Sequence, residues 1–508
     1  MKLLGWPVTR GKHSAGKVRG MEATHPLRLA PGRLAGLPGL LGLAAAVLLW
    51  RLLAIDQSGA SLYVDEAQYW LWAQDLEWGY FSKPPGIALL IRLSTAVFGD
   101  GPLGVKALAM LCYPAAALLA WLIARRLYDE AVAWWAALLV LTLPIYAWLG
   151  LFVSTDAPLT VLWLAGLWFY LRAVEAGRWR DWLALGVVCG LGLLTKYTMA
   201  VFVVAAGLHL LCCHRGRLAT ARPWVALAVA ALLLAPNLAW NLVHDFPTLR
   251  HTADITLHRQ TGERWAGLGS FLAAQILAFG PVFGLAALQG VWRGWRERPA
   301  GLLLWFAVPL WGVVSLQAFN GGANANWAAP AFAPLAIALA GWLAAGRQRW
   351  LIAGVALNVV LAALAYHAPT LLAASDVSNP ARYNPFVRAT GWRELAEQLR
   401  PFVLAHPDAV LLADNRTLLA HMRYELRDLR PTVVSWNPRR EASDHFRLST
   451  DLGRHIGSDA LRLGDQSPEA AMLGRFAGSH PLATLRAGLD STTSRHIEVH
   501  LLHGFQGY

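Results

Sequence analysis

Long apolar runs separated by short polar stretches recur along the first three quarters of the chain. They cover roughly residues 36–55, 102–124, 131–149, 157–174, 182–194, 198–213, 223–242, 268–289, 301–319, 328–345 and 350–372. A helix needs roughly 20 apolar residues to cross a bilayer. Most runs reach that length, while 182–194 and 198–213 are short and read as tilted or half-buried partners. The pattern predicts an α-helical polytopic membrane protein of about eleven spans over 35–375, with juxtamembrane helices in a first outer loop, 56–101. Beyond residue 375 no long apolar run occurs. There the spacing predicts helices over Gly391–Arg400 and Thr417–Glu425 and strands over Ala409–Ala413, Thr432–Trp436 and His496–His503. Residues 376–508 thus read as a small α/β domain outside the membrane.

Composition agrees and sets the orientation. The chain has 508 residues, 56% apolar and only 15% charged, whereas soluble domains run nearer 25% charged. A single soluble domain is excluded. The net charge of +13 does not signal nucleic acid, because the basic residues sit between apolar runs and not on one polar face. They alternate from loop to loop. The tail, 125–130, 172–181, 214–222, 293–298 and 347–349 hold about 20 Lys and Arg. The intervening loops hold about six. The rich set is cytoplasmic by the positive-inside rule. With an odd span count the C-terminal domain is then periplasmic. Residues 1–34 are basic and lack an apolar stretch, so they read as a disordered cytoplasmic tail and not as a signal peptide, with Met21 an alternative start. All four cysteines lie in apolar runs and read as packing residues.

Charge near membrane depth is costly and usually functional, and here it gathers on the sparsely charged face. Asp65 and Glu66 follow the first run amid aromatic residues that include Tyr63 and Tyr80. Rings alone mark an interface. A carboxylate pair among them can act as general base toward a hydroxyl. Only six lysines occur among 44 basic residues, and two of them, Lys83 and Lys196, fall on this face. A compact ammonium suits a phosphate. Lys106 lies inside a run, without an evident role. Asp156 opens a helix after Ser154-Thr155, where it can cap, face a site, or both. The loop 243–264 holds His244, Asp245, Arg250, His251, His258 and Arg259. Its spacing matches no closed zinc site, which favours substrate contact. Asn324, Asn326 and Trp327 start a later helix and suit sugar recognition through amide hydrogen bonds and ring stacking.

In this order the motifs resemble the GT-C superfamily of integral-membrane glycosyltransferases. The similarity is to the bacterial family 39/83 enzymes, which include protein O-mannosyltransferases and lipid A aminoarabinose transferases. It rests on Asp65-Glu66, Tyr80-Phe81-Ser82-Lys83-Pro84-Pro85, Ser154-Thr155-Asp156-Ala157-Pro158, Leu194-Thr195-Lys196, the 244–252 stretch HDFPTLRHT and Ala325-Asn326-Trp327-Ala328-Ala329-Pro330. The strand–helix unit opening at Ala413-Asp414 extends it into the C-terminal domain.

The resemblance implies transfer of a sugar from a polyprenyl-phosphate carrier at the outer face of a bacterial inner membrane. The acceptor would be an envelope glycolipid, a wall polymer or a protein. It implies Asp65 as base, Asp156 and Glu66 completing the carboxylate site, and Lys83 holding the donor phosphate with help from Lys196 or Arg250. The aminoarabinose transferases often carry an acidic residue where Ser82 precedes Lys83, so neither an obligatory metal nor that exact donor is expected. The alternative is a transporter or flippase of lipid-linked sugars, for which polar groups belong near the midplane of repeated halves.

Overall fold

The computed structural model describes residues 36–508 apart from 258–263, 298 and 491. The tail 1–34, His258 and Arg259 lie outside the described residues. Among the described residues seven helices are long and apolar enough to cross a membrane: Leu37–Gln57, Pro102–Leu127, Asp156–Ala176, Ala221–Val243, Ala300–Gly321, Ala325–Ala344 and Gln348–Tyr366. The expected span 268–289 is instead two helices, Arg264–Phe279 and Pro281–Gly294, bent by 109°. The break has a local cause. Gly280 takes φ +90, which glycine tolerates, and Pro281 starts a new helix where its missing N–H costs nothing. Counting the bent pair as one span gives eight. The three remaining runs form shorter helices: Glu130–Thr142 ended by Pro144, Trp179–Thr195 and Met199–Cys213. Length alone therefore supports seven or eight of the eleven expected spans.

Burial grades across the bundle. Ala325–Ala344 is enclosed, with 72% of its apolar window buried, while Ala221–Val243 has only 22% buried. Outward-facing Leu232, Leu242 and Val243 are the surface a bilayer covers.

The C-terminal residues form a five-stranded mixed sheet: β1 (Val410–Ala413), β2 (Val433–Ser435), β3 (Ala460–Gly464), β4 (Phe476–Gly488) and β5 (Ser494–Phe505) in the order β2-β1-β3-β5-β4. β1 pairs parallel with β2 and β3, and β5 antiparallel with β3 and β4. β1 and β3 are buried throughout, as parallel strands covered on both faces are. The amphipathic helices Trp392–Ala405 and Arg416–Glu425 pack on the sheet. Their apolar faces merge with the first outer loop in one core: Leu62, Trp70 and Trp72 pack with Leu399, Leu419, Met422 and Leu461. Trp70 meets Tyr424 edge-on at 5.1 Å. The Tyr424 hydroxyl donates to the Asp100 carbonyl (2.9 Å) and Ser61 N–H to the Ala389 carbonyl (2.9 Å). The sheet domain is thereby seated on residues of the 56–101 segment, and the candidate site lies beneath it.

Candidate active site

Helix Val64–Gln74 sets the two carboxylates. The Tyr63 N–H donates to Glu66 Oε2 (2.8 Å) and so closes the first turn. Glu66 is 1% exposed. The Lys106 ammonium donates to Oε1 (2.7 Å) and Oε2 (2.5 Å), and Val153 N–H to Oε1 (2.5 Å). Both of its oxygens are therefore occupied, and Lys106 acquires the role its sequence position left open. Asp65 turns the other way. Its side chain is 56% exposed, and one oxygen accepts from Arg416 Nη2 (3.0 Å). The other has no hydrogen bond among the described residues.

The lysines arrive from two elements that touch. Tyr80 N–H bonds the Lys83 carbonyl (3.1 Å) in a tight turn, and helix Gly86–Phe98 starts immediately after. A Cβ on Gly86 would stand 2.8 Å from the Leu194 carbonyl and 2.9 Å from Thr195 Cα. Only glycine lets the Lys83 turn reach the end of helix Trp179–Thr195, where Lys196 caps. Lys196 Nζ donates to Asp156 Oδ1 (2.7 Å), and Asn326 Nδ2 to Asp156 Oδ2 (2.7 Å). Asp156, at the start of its helix and 2% exposed, is thus saturated as well. Burial, then repulsion from Lys196, pushes Lys83 down to about 8. Burial, then Lys83, lowers His251 as well, and its ring packs on Phe81 at 4.9 Å.

These groups line one cavity of about 1300 Å³. Of the residues expected from sequence, Tyr63, Asp65, Glu66, Lys83, Asp156, Lys196, His251, Asn324, Asn326 and Trp327 all reach it. The Tyr63 hydroxyl donates to the Pro385 carbonyl. Four do not line it. Tyr80 is buried, its ring parallel to Trp72 at 4.4 Å and its hydroxyl on the Trp72 carbonyl (3.0 Å), so it packs behind the cavity wall. His244 is exposed and stacks on Trp240 at 4.2 Å. Asp245 takes φ +61 at the reversal before helix Pro247–Leu257 and is exposed. Arg250 is exposed on that helix, whose inward face presents His251.

Sequence reading missed the cations supplied from beyond residue 375. Arg382, Arg388 and Arg416 line the cavity, and Arg416 also donates to Gln68 Oε1 (3.1 Å). Arg382 and Arg388 have no ion-pair partner among the described residues. His445 also lines the cavity, held at about 4 by burial, as does Ser154, whose hydroxyl is buried and unpartnered. Ser154 alone had a signal, its place beside Asp156. Among the described residues no three His, Cys, Asp or Glu side chains gather as a metal-ligand set. A basic, partly apolar chamber with an open carboxylate oxygen on the exposed Asp65 suits an anionic leaving group and a hydroxyl nucleophile.

Comparison with known proteins places this chamber in context. The family model for dolichyl-phosphate-mannose-protein mannosyltransferase matches residues 82–240. The lipid A galacturonosyltransferase of Rhizobium johnstonii is 31% identical over 427 residues, covering 82% of this chain and 89% of that protein. The undecaprenyl phosphate-alpha-4-amino-4-deoxy-L-arabinose arabinosyl transferase of Pseudomonas aeruginosa is 30% identical over 380 residues; the match takes in 70% of this chain but 64% of that longer protein. In fold, the chain is similar to the crystal structure of ArnT from Cupriavidus metallidurans, with TM-score 0.62 and 16% identity, covering 91% of this chain and 98% of the other. With a relative of that identity matched over most of both chains, the protein belongs to the GT-C superfamily: it is a multi-pass membrane glycosyltransferase that takes its sugar from a polyprenyl-phosphate carrier.

Proposed function

We propose that the protein transfers an acidic sugar, of the hexuronic class, from polyprenyl phosphate to lipid A at the outer face of the inner membrane. The N-terminus is cytoplasmic and the C-terminal domain periplasmic in this reading, following the loop charges. The acceptor hydroxyl lies against the unoccupied oxygen of Asp65, which takes its proton as the oxygen attacks the anomeric carbon. The bond from that carbon to the phosphate oxygen breaks, and polyprenyl phosphate leaves carrying the electron pair. Lys83 stabilises the charge that develops there. Asp156, held by Lys196 and Asn326, fixes the sugar-binding wall. Glu66 anchors the helix that carries Asp65.

The observation that carries the substrate reading is the surplus of cations. Asp65 is matched by Arg416, and Asp156 by Lys196. Lys83, Arg382 and Arg388 remain without ion pairs among the described residues lining the cavity. A donor phosphodiester brings one negative charge, so the surplus fits a carboxylate on the sugar and the phosphates of the acceptor. A cationic amino sugar would meet repulsion. The similarity to a lipid A galacturonosyltransferase supports the same choice.

The test offers lipid A in vesicles with the full chain and one of three polyprenyl-phosphate donors: hexuronic, neutral hexose or 4-amino-4-deoxyarabinose. Mass spectrometry is expected to find lipid A extended from the uronic donor, with the rate falling by about 10² or more in Asp65→Asn. Preference for the amino sugar would overturn the donor class. Undiminished turnover in Asp65→Asn would overturn the base.

A further inference from the structure

A second cavity, of about 380 Å³, opens at the opposite end of the bundle. It lies among the end of helix Pro281–Gly294, the start of Ala300–Trp305, the end of Ala329–Ala344, and Tyr128 at the foot of Pro102–Leu127. Its mouth carries Arg293 and Arg347, both exposed and without ion-pair partners among the described residues, and Glu297 is the carboxylate among the described residues that line it. The Arg347 guanidinium lies over the Trp342 ring at 4.8 Å. The Tyr128 hydroxyl is buried and has no hydrogen-bond partner, an uncommon condition for a buried polar group.

A further, apolar cavity adjoins this one. It is narrower, about 140 Å³, is lined by side chains such as Ile276, Phe279, Leu288 and Phe332, and shares Ala287, Val291 and Leu335 with the larger one. Cationic donors at a mouth and an apolar slot running inward are the two halves of an amphiphile's site. The charge pattern narrows the headgroup. Among the described residues two arginines stand beside one carboxylate, which suits a singly charged phosphodiester whose hydroxyls can donate to Glu297. A terminal phosphomonoester, nearer two negative charges, would be repelled by that carboxylate. The surroundings are also basic: Arg125 and Arg126 lie in the last turn of Pro102–Leu127, where they pair with Glu130 and Glu175, and Arg215 and Arg217 lie on the short helix Arg215–Leu218; basic residues at this level favour an anionic leaflet.

We propose that this cavity binds an anionic phospholipid of the surrounding bilayer, its glycerol phosphodiester headgroup between Arg293 and Arg347 and an acyl chain in the apolar slot. The site stands apart from the sugar-transfer cavity and does not depend on the donor or acceptor.

The test is native mass spectrometry of the delipidated full chain with equimolar dioleoyl phosphatidylglycerol and phosphatidylcholine. Undecaprenyl phosphate and inorganic phosphate are added in separate arms. Phosphatidylglycerol adducts are expected to exceed phosphatidylcholine adducts by about five-fold or more, on the scale of one surface arginine. Arg293→Gln/Arg347→Gln loses the preference, whereas Arg293→Lys/Arg347→Lys keeps it, which separates lost charge from lost folding. Arg215→Gln/Arg222→Gln, at the same end but outside the cavity, also keeps it. Equal binding of the two phospholipids would overturn the proposal. So would survival of the preference in Arg293→Gln/Arg347→Gln, an equal loss in the Arg215 control, or displacement of the lipid by undecaprenyl phosphate or inorganic phosphate.

Discussion

Consecutive helix positions point about 100° apart, and Asp65 and Glu66 show what one step does. Glu66 turns into the core and meets Lys106, both nearly inaccessible; Asp65 turns toward the cavity. The inner pair is a structural commitment. Removing one partner of a buried ion pair costs about 3–5 kcal/mol, because the other charge is left uncompensated. Lys106→Met is therefore expected to lower the thermal midpoint strongly, and Glu66→Gln/Lys106→Met to recover a large part of the loss. If the double variant is no better than the single, the pair is not what holds Asp65 in place. Lys83 yields a pH prediction. Its ammonium is lowered to about 8, so in the free enzyme it is charged below that pH and neutral above. Phosphate capture needs the charge, so kcat/KM should fall on the alkaline side through about pH 8. Lys83→Arg, whose guanidinium stays charged at any accessible pH, should remove that limb even if its absolute rate is lower. An unmoved limb would assign the titration to another group.

At the scale of elements, the site depends on a close approach between two chain turns. A Cβ at Gly86 would crowd backbone atoms of Leu194 and Thr195, and backbone cannot swing aside as a long side chain can. Gly86→Ala should cost about 1–3 kcal/mol, as overpacking does. It should also depress activity more than stability, because displacing the Lys83 turn by about 1 Å is worth up to about 10² in rate. The comparison to make is kcat against the melting midpoint in one preparation. How much of this was legible in sequence follows the same logic. Ten of the fourteen residues singled out reach the cavity, because rare charges on an apolar background stand out. Tyr80, His244, Asp245 and Arg250 do not line it, since a residue's type does not tell which way its helix or turn faces. Strand β1 and the helix after it were readable from a short apolar run and an amphipathic period. β3 and β4 were not: Arg462 interrupts the first, and Pro481 sits at a register shift in the second, where a bulge admits proline. The bend at Gly280 had a signal in the Gly280-Pro281 pair, a helix breaker, but the apolar run continues on both sides of it and reads as one span.

At the scale of the whole molecule, the helices and loops of the C-terminal domain wall the candidate site, with Arg382, Arg388 and Arg416 among its lining. The domain's helices share one core with residues of the 56–101 segment, and it supplies Arg416, which donates to both Asp65 and Gln68. The magnitudes separate two readings of that bridge. The side chains of Arg416 and Asp65 are 38% and 56% exposed, and such pairs contribute only about 0–1 kcal/mol to folding. Held by the large shared core, the domain does not need this contact to stay docked. Its consequence should therefore lie in positioning: Arg416 fixes the rotamer of Asp65 and leaves the second carboxylate oxygen toward the cavity. Arg416→Ala is expected to keep the melting midpoint and membrane yield of the parent while kcat falls about ten-fold or more, the order expected when a reacting group loses its orientation. Arg416→Lys, which can reach only one of the two partners at a time, should recover part of the rate. A drop in stability equal to that of a core substitution such as Leu419→Ala would mean that the contact is chiefly structural. An unchanged kcat would mean that Asp65 is oriented without the C-terminal domain.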